Sequence, residues 1–140
     1  MGERDRGVPD CRDESEVPGM KFTISGRLPA LNDYTKACRG NKYLGAKMKK
    51  DTEELIRWYI RAAHLQQVDG PVFVWFTWIE KDERRDPDNV AFGKKFIFDA
   101  LVAAGIIPND NRKYVRGFQD EFRTDKQNPR IEVEIMEVER

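Results

Sequence analysis

The segment RRDPDN, residues 84–89, holds two aspartates two positions apart, Asp86 and Asp88, with Pro87 between them. The fixed φ of proline suits the first turn of a helix, and an aspartate before it can cap the helix N-terminus. One carboxylate is enough for that cap. A second carboxylate nearby adds a repulsion that a proton or a cation must relieve. Taken alone, the pattern leaves two interpretations open, a helix cap and part of a metal site.

A third aspartate favours the metal site. Asp110 lies in GIIPNDN, residues 105–111, directly after the predicted helix. Three carboxylates together would form a hard-oxygen site for Mg²⁺, with Mn²⁺ as the alternative ion. The predicted helix is about 24 Å long, whereas the loop behind it reaches only about 20 Å. Asp110 therefore meets Asp86 and Asp88 only if the helix crosses the sheet obliquely, or if Asp110 comes from the other subunit of a dimer.

The elements that must position these acids follow from the periodicity of apolar residues. The 140 residues suit one small domain. Period-two alternation predicts four strands, and apolar residues at i, i+3 and i+4 predict two helices. The predicted strands are residues 20–29, 71–81, 113–122 and 129–138, and the predicted helices are residues 45–67 and 88–104. The expected fold is α/β (α+β), in the order β-α-β-α-β-β, with two helices packed on a four-stranded mixed sheet.

The connections carry further expectations. Residues 30–42 are expected to form a loop, and Gly105 is expected to end the second helix. The last two strands should pair with each other. The strand in residues 71–81 is apolar on both alternating faces, which predicts an interior strand covered on both sides, or on one side and by a partner subunit.

The two ends of the chain differ in composition. Residues 1–19 are charged and rich in proline and glycine, which predicts a flexible leader ahead of a domain in residues 20–140. The cysteines, Cys11 and Cys38, show neither disulfide nor zinc spacing. No apolar run approaches the roughly 18 residues that cross a bilayer. We therefore expect a cytoplasmic protein with no membrane partner.

Basic residues are concentrated in one segment, although the formal net charge is zero. Residues 21–50 hold eight basic residues and one acidic residue, a local charge of +7. Such a block is typical of a surface that contacts phosphates, although a solvated basic face has the same composition. The candidate nucleic-acid-binding residues are Lys36, Arg39, Lys42, Lys47, Lys49 and Lys50, together with Arg85 and Lys94 near the aspartates.

Two stretches resemble a known family. The signature RRDPDN…KKFIFDALVAAGIIPNDNRKYV and the opening GRLPALNDYTKACRGNKYLGAKMKK are similar to those of the RusA family of Holliday junction resolvases, which are small endonucleases of phages and prophages. The resemblance covers about residues 20–138. It implies a homodimer that binds a four-way DNA junction in recombination and repair. It also implies that two opposed strands are nicked with the help of a divalent metal.

The resemblance assigns roles residue by residue. Asp86 and Asp88 match the paired acids of the family, and Asp110 matches the acid of the later element. Asp99 matches the aspartate of the D-A-L motif, for which we expect a structural role or a role in supporting the ligands. The resemblance therefore implies that Asp86, Asp88 and Asp110 are both catalytic residues and metal ligands.

The catalytic lysine departs from the family pattern. The family places it about four residues after the second aspartate, and Phe92 stands at that offset here. Counting back four residues from Asp99 gives Lys95 instead, as if the helix carried three additional residues. Lys95 is therefore the expected catalytic lysine, with its neighbour Lys94 as the alternative.

Two other functions remain open at this point. The chain could be a non-catalytic module that binds branched DNA through the basic segment and uses its aspartates only as caps. It could also be a metal-dependent nuclease that acts on other branched substrates, such as flaps, or on RNA.

Overall fold

The computed structural model describes residues 19–138, which form a small α+β domain built on a four-stranded mixed sheet. The predicted leader lies outside the described residues, apart from Gly19. The strands are β1 (Met20–Ser25), β2 (Val72–Glu80), β3 (Val115–Thr124) and β4 (Arg130–Glu137). The helices are α1 (Leu31–Gly40), α2 (Lys42–Ala62), α3 (Pro87–Ala91) and α4 (Lys94–Ala103).

The period-two patterns locate all four strands correctly. In β2, Val74, Phe76 and Trp78 are buried against the helices, and Trp75 and Ile79 on the opposite face are buried as well. β2 is an interior strand, as its apolar pattern predicts, with β4 on one side and β3 on the other.

The strand order is β1-β4-β2-β3, so the expected pairing of the last two strands is wrong. β4 pairs antiparallel with both β1 and β2, whereas β3 pairs only with β2, in parallel. The connection in residues 125–129 crosses the end of β2, where Asp125 N donates to Glu80 O at 2.8 Å. The physical reason is burial: β4 is the more apolar strand and lies inside, while the more polar β3 tolerates the edge.

Residues 30–42, expected to form a loop, are mostly helical. The first turn of α1 receives side-chain caps: Asp33 Oδ2 accepts from Ala30 N at 2.9 Å, and Asn89 Oδ1 accepts from Asn32 N at 2.9 Å. The second cap comes from a residue far away in the chain, which no local pattern encodes. Asn41 then caps α2 by accepting from Tyr43 N at 2.7 Å, so α2 begins earlier than predicted.

The second predicted helix is interrupted at Phe92 and Gly93, which separate α3 from α4. Gly93 is packed so closely that a Cβ atom there would lie 3.2 Å from both Leu28 Cδ1 and the Trp78 ring. The C-terminal end of α4 agrees with the prediction. Gly105 has φ +78° and donates to Val102 O at 3.0 Å, as expected for a residue that terminates a helix.

The core lies between the helices and one face of the sheet. Ile56 and Ile60 of α2 pack there with Phe96, Ile97 and Leu101 of α4. Glu132 and Glu134 of β4 alternate with its buried residues and lie on the other face. None of the helices in residues 19–138 combines the length and hydropathy that a bilayer-spanning segment requires.

Candidate functional site

The two aspartates of RRDPDN lie at the start of α3, immediately beyond the C-terminal end of β2. Asp86 occupies the N-cap position with an extended backbone (φ −70°, ψ 148°), but its carboxylate makes no capping hydrogen bond. Asp88 lies in the first turn of the same helix. Both side chains are exposed, and neither carboxylate bonds within residues 19–138. The capping interpretation therefore does not account for either acid.

The residues that flank the aspartates are the ones that the fold uses. Arg85 donates to Asp33 Oδ2 at 2.8 Å and to Leu28 O at 3.2 Å. Asn89 accepts from the backbone of Asn32, in the first turn of α1. These contacts tie the start of α3 to the start of α1. Arg85 and Asn89 thus hold in place the segment that carries the two exposed carboxylates.

Asp110 lies at the other end of the sheet. It precedes β3, whose first residue is in register with Val72, the first residue of β2. Asp86 comes six residues after Glu80, the last residue of β2. The nine residues of β2 extend about 26 Å. Within one chain, the oblique-helix route from Asp110 to Asp86 and Asp88 is therefore wrong. A search of residues 19–138 likewise finds no group of three or more potential ligands.

The two candidate lysines have different environments. Lys94 is largely buried, with its side chain 18% exposed, and forms an ion pair with Asp120. Its ammonium group lies 4.6 Å from the centre of the Phe118 ring. Lys95 is 60% exposed and lies 3.5 Å from Asp99, one turn further along α4. Lys94 is therefore engaged in packing, and Lys95 is the more accessible cation.

Sequence reasoning missed Asp120. Its Oδ1 atom accepts from Trp78 Nε1 at 2.8 Å, and Oδ2 accepts from Lys94. Alternation along β3 places Asp120 on the same face as Phe118 and Phe122, so an acid at an apolar position of the pattern was the available signal. The pair is a link between β3, β2 and the start of α4.

Asp99 links two helices, in agreement with its expected structural role. Lys49 of α2 lies 3.3 Å from Asp99 and also forms an ion pair with Glu53. The hydrogen bond to Glu53 is the main cause that raises the pKa of Lys49. Because Lys49 is held by two carboxylates, less of its charge is available to a phosphate.

The first residues of the basic segment lie in β1, and its six candidate cations lie in α1 and the first half of α2. Lys47 pairs with Asp51 at 2.7 Å, and Arg85 and Lys94 are engaged as described above. The remaining candidates are exposed and form no ion pair within residues 19–138: Lys36, Arg39, Lys42 and Lys50. These four cations, carried by two adjacent helices, are the ones free to contact an anionic ligand.

Comparison with known proteins adds no assignment. No protein-family model and no curated protein matches the chain.

Proposed function

We propose that the chain is a metal-dependent, structure-selective endodeoxyribonuclease that resolves four-way DNA junctions by paired nicks. The observation that carries the proposal is that some residues of RRDPDN bond to the rest of the fold while its two aspartates remain exposed. Arg85 and Asn89 bond to the α1 region, whereas Asp86 and Asp88 have no described intramolecular partner. Two neighbouring carboxylates that the fold does not use are available to a cation.

Each acid has a defined role in the proposal. Asp86, Asp88 and Asp110 hold Mg²⁺ or Mn²⁺ through carboxylate oxygens, which these ions prefer. A divalent ion held by these residues would activate an attacking water and would stabilise the negative charge that develops on the oxygens of the scissile phosphate. Lys95 stabilises negative charge on the scissile phosphate. Within one chain, Asp110 lies near the start of β2, far from Asp86 and Asp88. Asp110 would therefore come from the second subunit of a homodimer.

The basic helices supply the proposed DNA contacts. Lys36, Arg39, Lys42 and Lys50 would bind backbone phosphates, which give affinity without base specificity. Selectivity for the branch would come from the arrangement of the arms. A junction has approximate two-fold symmetry, so a symmetric dimer can present identical sites to its two opposed strands.

The test is a nicking assay on a labelled mobile junction, with linear duplex and single strands beside it. We expect symmetric nicks in Mg²⁺, none in EDTA and none with Asp88→Asn, because the variant loses a ligand. Binding of the variant should be retained or tighter, since a negative charge near phosphates is removed. The matched control is Glu54→Gln, which removes an exposed acid from α2.

Each outcome of this assay has a defined meaning. Nicking that survives in Asp88→Asn would exclude the metal role of that residue. Junction binding without any nicking would favour the non-catalytic module. Preferred cleavage of flaps or RNA would favour a nuclease with another substrate.

A further inference from the structure

An open groove lies between α1 and α2, next to the segment that carries Asp86 and Asp88. Its volume is about 680 Å³, which is within the range of sites that hold a small ligand. Leu44 is 52% exposed there, although it is a large apolar residue. The apolar side chains of the groove are all aliphatic: Leu28, Pro29, Ala37, Leu44 and Met48. The groove therefore offers apolar surface that the described part of the chain does not cover.

Cations border this groove. Arg27, Lys36 and Arg85 line it together with one carboxylate, that of Asp33, which gives a formal charge of +2. Asp33 already accepts from Arg85 and from Ala30 N. Lys36 is exposed and forms no ion pair within residues 19–138. An apolar floor with a cationic border fits a ligand that has an apolar face and negative charge beside it.

A second cavity, on the face of the sheet that the helices leave open, has the opposite charge. Its volume is about 210 Å³, and its charged residues are Lys21 and three glutamates, Glu121, Glu132 and Glu134. A formal charge of −2 would repel the phosphates of a nucleic acid. Of these two cavities, the groove between α1 and α2 is the one whose charge is complementary to DNA.

We propose that this groove holds one unstacked nucleobase of the DNA strand whose scissile phosphate would lie at Asp86 and Asp88. The inference rests on the proposed function and adds a subsite to it. A base has a flat apolar face for the aliphatic walls, and Lys36 and the neighbouring arginines would attract the phosphates on either side of it. Arg85 donates to Leu28 O at 3.2 Å, so the residue before Asp86 directly contacts a wall of the groove.

Such a groove would help to distinguish branched DNA from linear duplex. In a linear duplex every base is stacked and paired, so that a base enters a protein pocket only after a costly extrusion. At a branch point the stacking is interrupted, and a base leaves the helix at a lower cost. The contact would therefore be made mainly at the centre of a junction, and it would add to the selectivity that the arms provide.

Methyl NMR of the wild-type protein in EDTA, which prevents metal-dependent nicking, identifies the occupant. On addition of a short single-stranded oligonucleotide, the methyl signal of Met48 should shift upfield, because a base held over it exerts a ring current. An abasic oligonucleotide of equal length is the control, since it carries the same phosphates without bases. Met136 is buried in β4 and should not shift. Equal shifts with both oligonucleotides, or no shift of Met48, would overturn the proposal.

The same signal recognises a different occupant. If the Met48 methyl shifts with protein concentration alone, a second copy of the chain occupies the groove and the proposal fails.

A variant that fills the groove tests its role in junction binding. Ala37→Leu places a larger side chain in the space bounded by Leu44 and Met48. It should abolish the Met48 shift and weaken junction binding about tenfold, a typical effect of losing one base contact. Binding of linear duplex should stay unchanged. The matched control is Ala62→Leu, at an exposed position of α2 that lines neither cavity. An equal loss for junction and duplex in Ala37→Leu would contradict the proposal.

Failure of this inference and failure of the proposed function give different results. Nicking of the junction together with an unshifted Met48 methyl would leave the proposed function standing and would exclude the base-binding groove. A base-dependent shift of Met48 without any nicking in Mg²⁺ would exclude the nuclease function and would leave the groove as a nucleic-acid-binding site.

Discussion

Neighbouring residues in RRDPDN carry out different tasks. Arg85 and Asn89 form the hydrogen bonds that join the starts of α1 and α3. Asp86 and Asp88 remain exposed between them. The motif could be found from sequence because it has one carboxylate more than a helix cap requires. The separate roles of its residues could not be predicted from sequence, because they depend on partners more than 50 positions away in the chain.

The free basic side chains should dominate the affinity for the DNA junction that we propose as the substrate. Arg39→Gln and Lys42→Gln should each weaken junction binding and lower the slope of log affinity against log salt by about 0.9, because each would remove one of the proposed phosphate contacts. Arg61→Gln is the control, since Arg61 lies at the other end of α2. Fluorescence anisotropy across a salt series measures the slope. An equal effect from all three variants would show that only the total charge matters.

The interruption between α3 and α4 shows how packing overrides helical periodicity. The apolar spacing continues through residues 88–104 and predicts one helix. The chain instead breaks at Gly93, which lies against Leu28 and Trp78. A Cβ atom at that position would press against both side chains, so the backbone at the break is packed directly against the core.

Gly93→Ala should therefore destabilise the fold. The new Cβ atom would lie 3.2 Å from Leu28 and Trp78, and forced repacking of a dense core costs about 1–3 kcal/mol. Urea denaturation measures the difference in free energy of unfolding. The control is Gly40→Ala in α1, where the nearest atom to a new Cβ lies at 3.8 Å. The helix-propensity gain there is at most about 1 kcal/mol. Equal stability of the two variants would contradict the packing argument.

At the level of the complete fold, one short connection makes the observed strand order possible. Residues 125–129 carry the chain across the end of β2, so that β3 and β4 flank that strand instead of pairing. Asp125 organises the crossing by accepting from Gln127 N at 3.1 Å and from Arg130 at 3.2 Å. The hydrogen bond from Arg130 is the main cause that lowers the pKa of Asp125.

This connection should contribute to the acid sensitivity of the whole domain. A carboxylate whose pKa is lowered by folding stabilises the native state above its unfolded pKa, and the stabilisation is lost as the pH falls through the folded value. Asp125→Asn should therefore be less stable than wild type at pH 7. The difference in free energy of unfolding between the two proteins should shrink as the pH falls below 3.8, the ordinary pKa of an aspartate. Urea denaturation at a series of pH values measures this. A difference that grows in acid would contradict the assignment.

The control for this experiment is Asp69→Asn. Asp69 is exposed and forms no hydrogen bond within residues 19–138. The variant should stay within about 0.5 kcal/mol of wild type at pH 7, as is usual for surface substitutions. If Asp69→Asn lost as much free energy of unfolding as Asp125→Asn, the change in net charge would be the cause. That result would contradict a role of the connection.

The sequence by itself determined the positions of the four strands, the end of α4 at Gly105 and the pair of acids at a helix start. Each of these follows from local periodicity or from the chemistry of a few adjacent residues. Only the tertiary structure decided that β4 lies between β1 and β2, that Gly93 breaks a helix, and that Asp110 lies a strand length away from Asp86. Local patterns record which side of an element is buried. Pairing partners and distances between elements depend on contacts across the whole chain, which no short segment encodes.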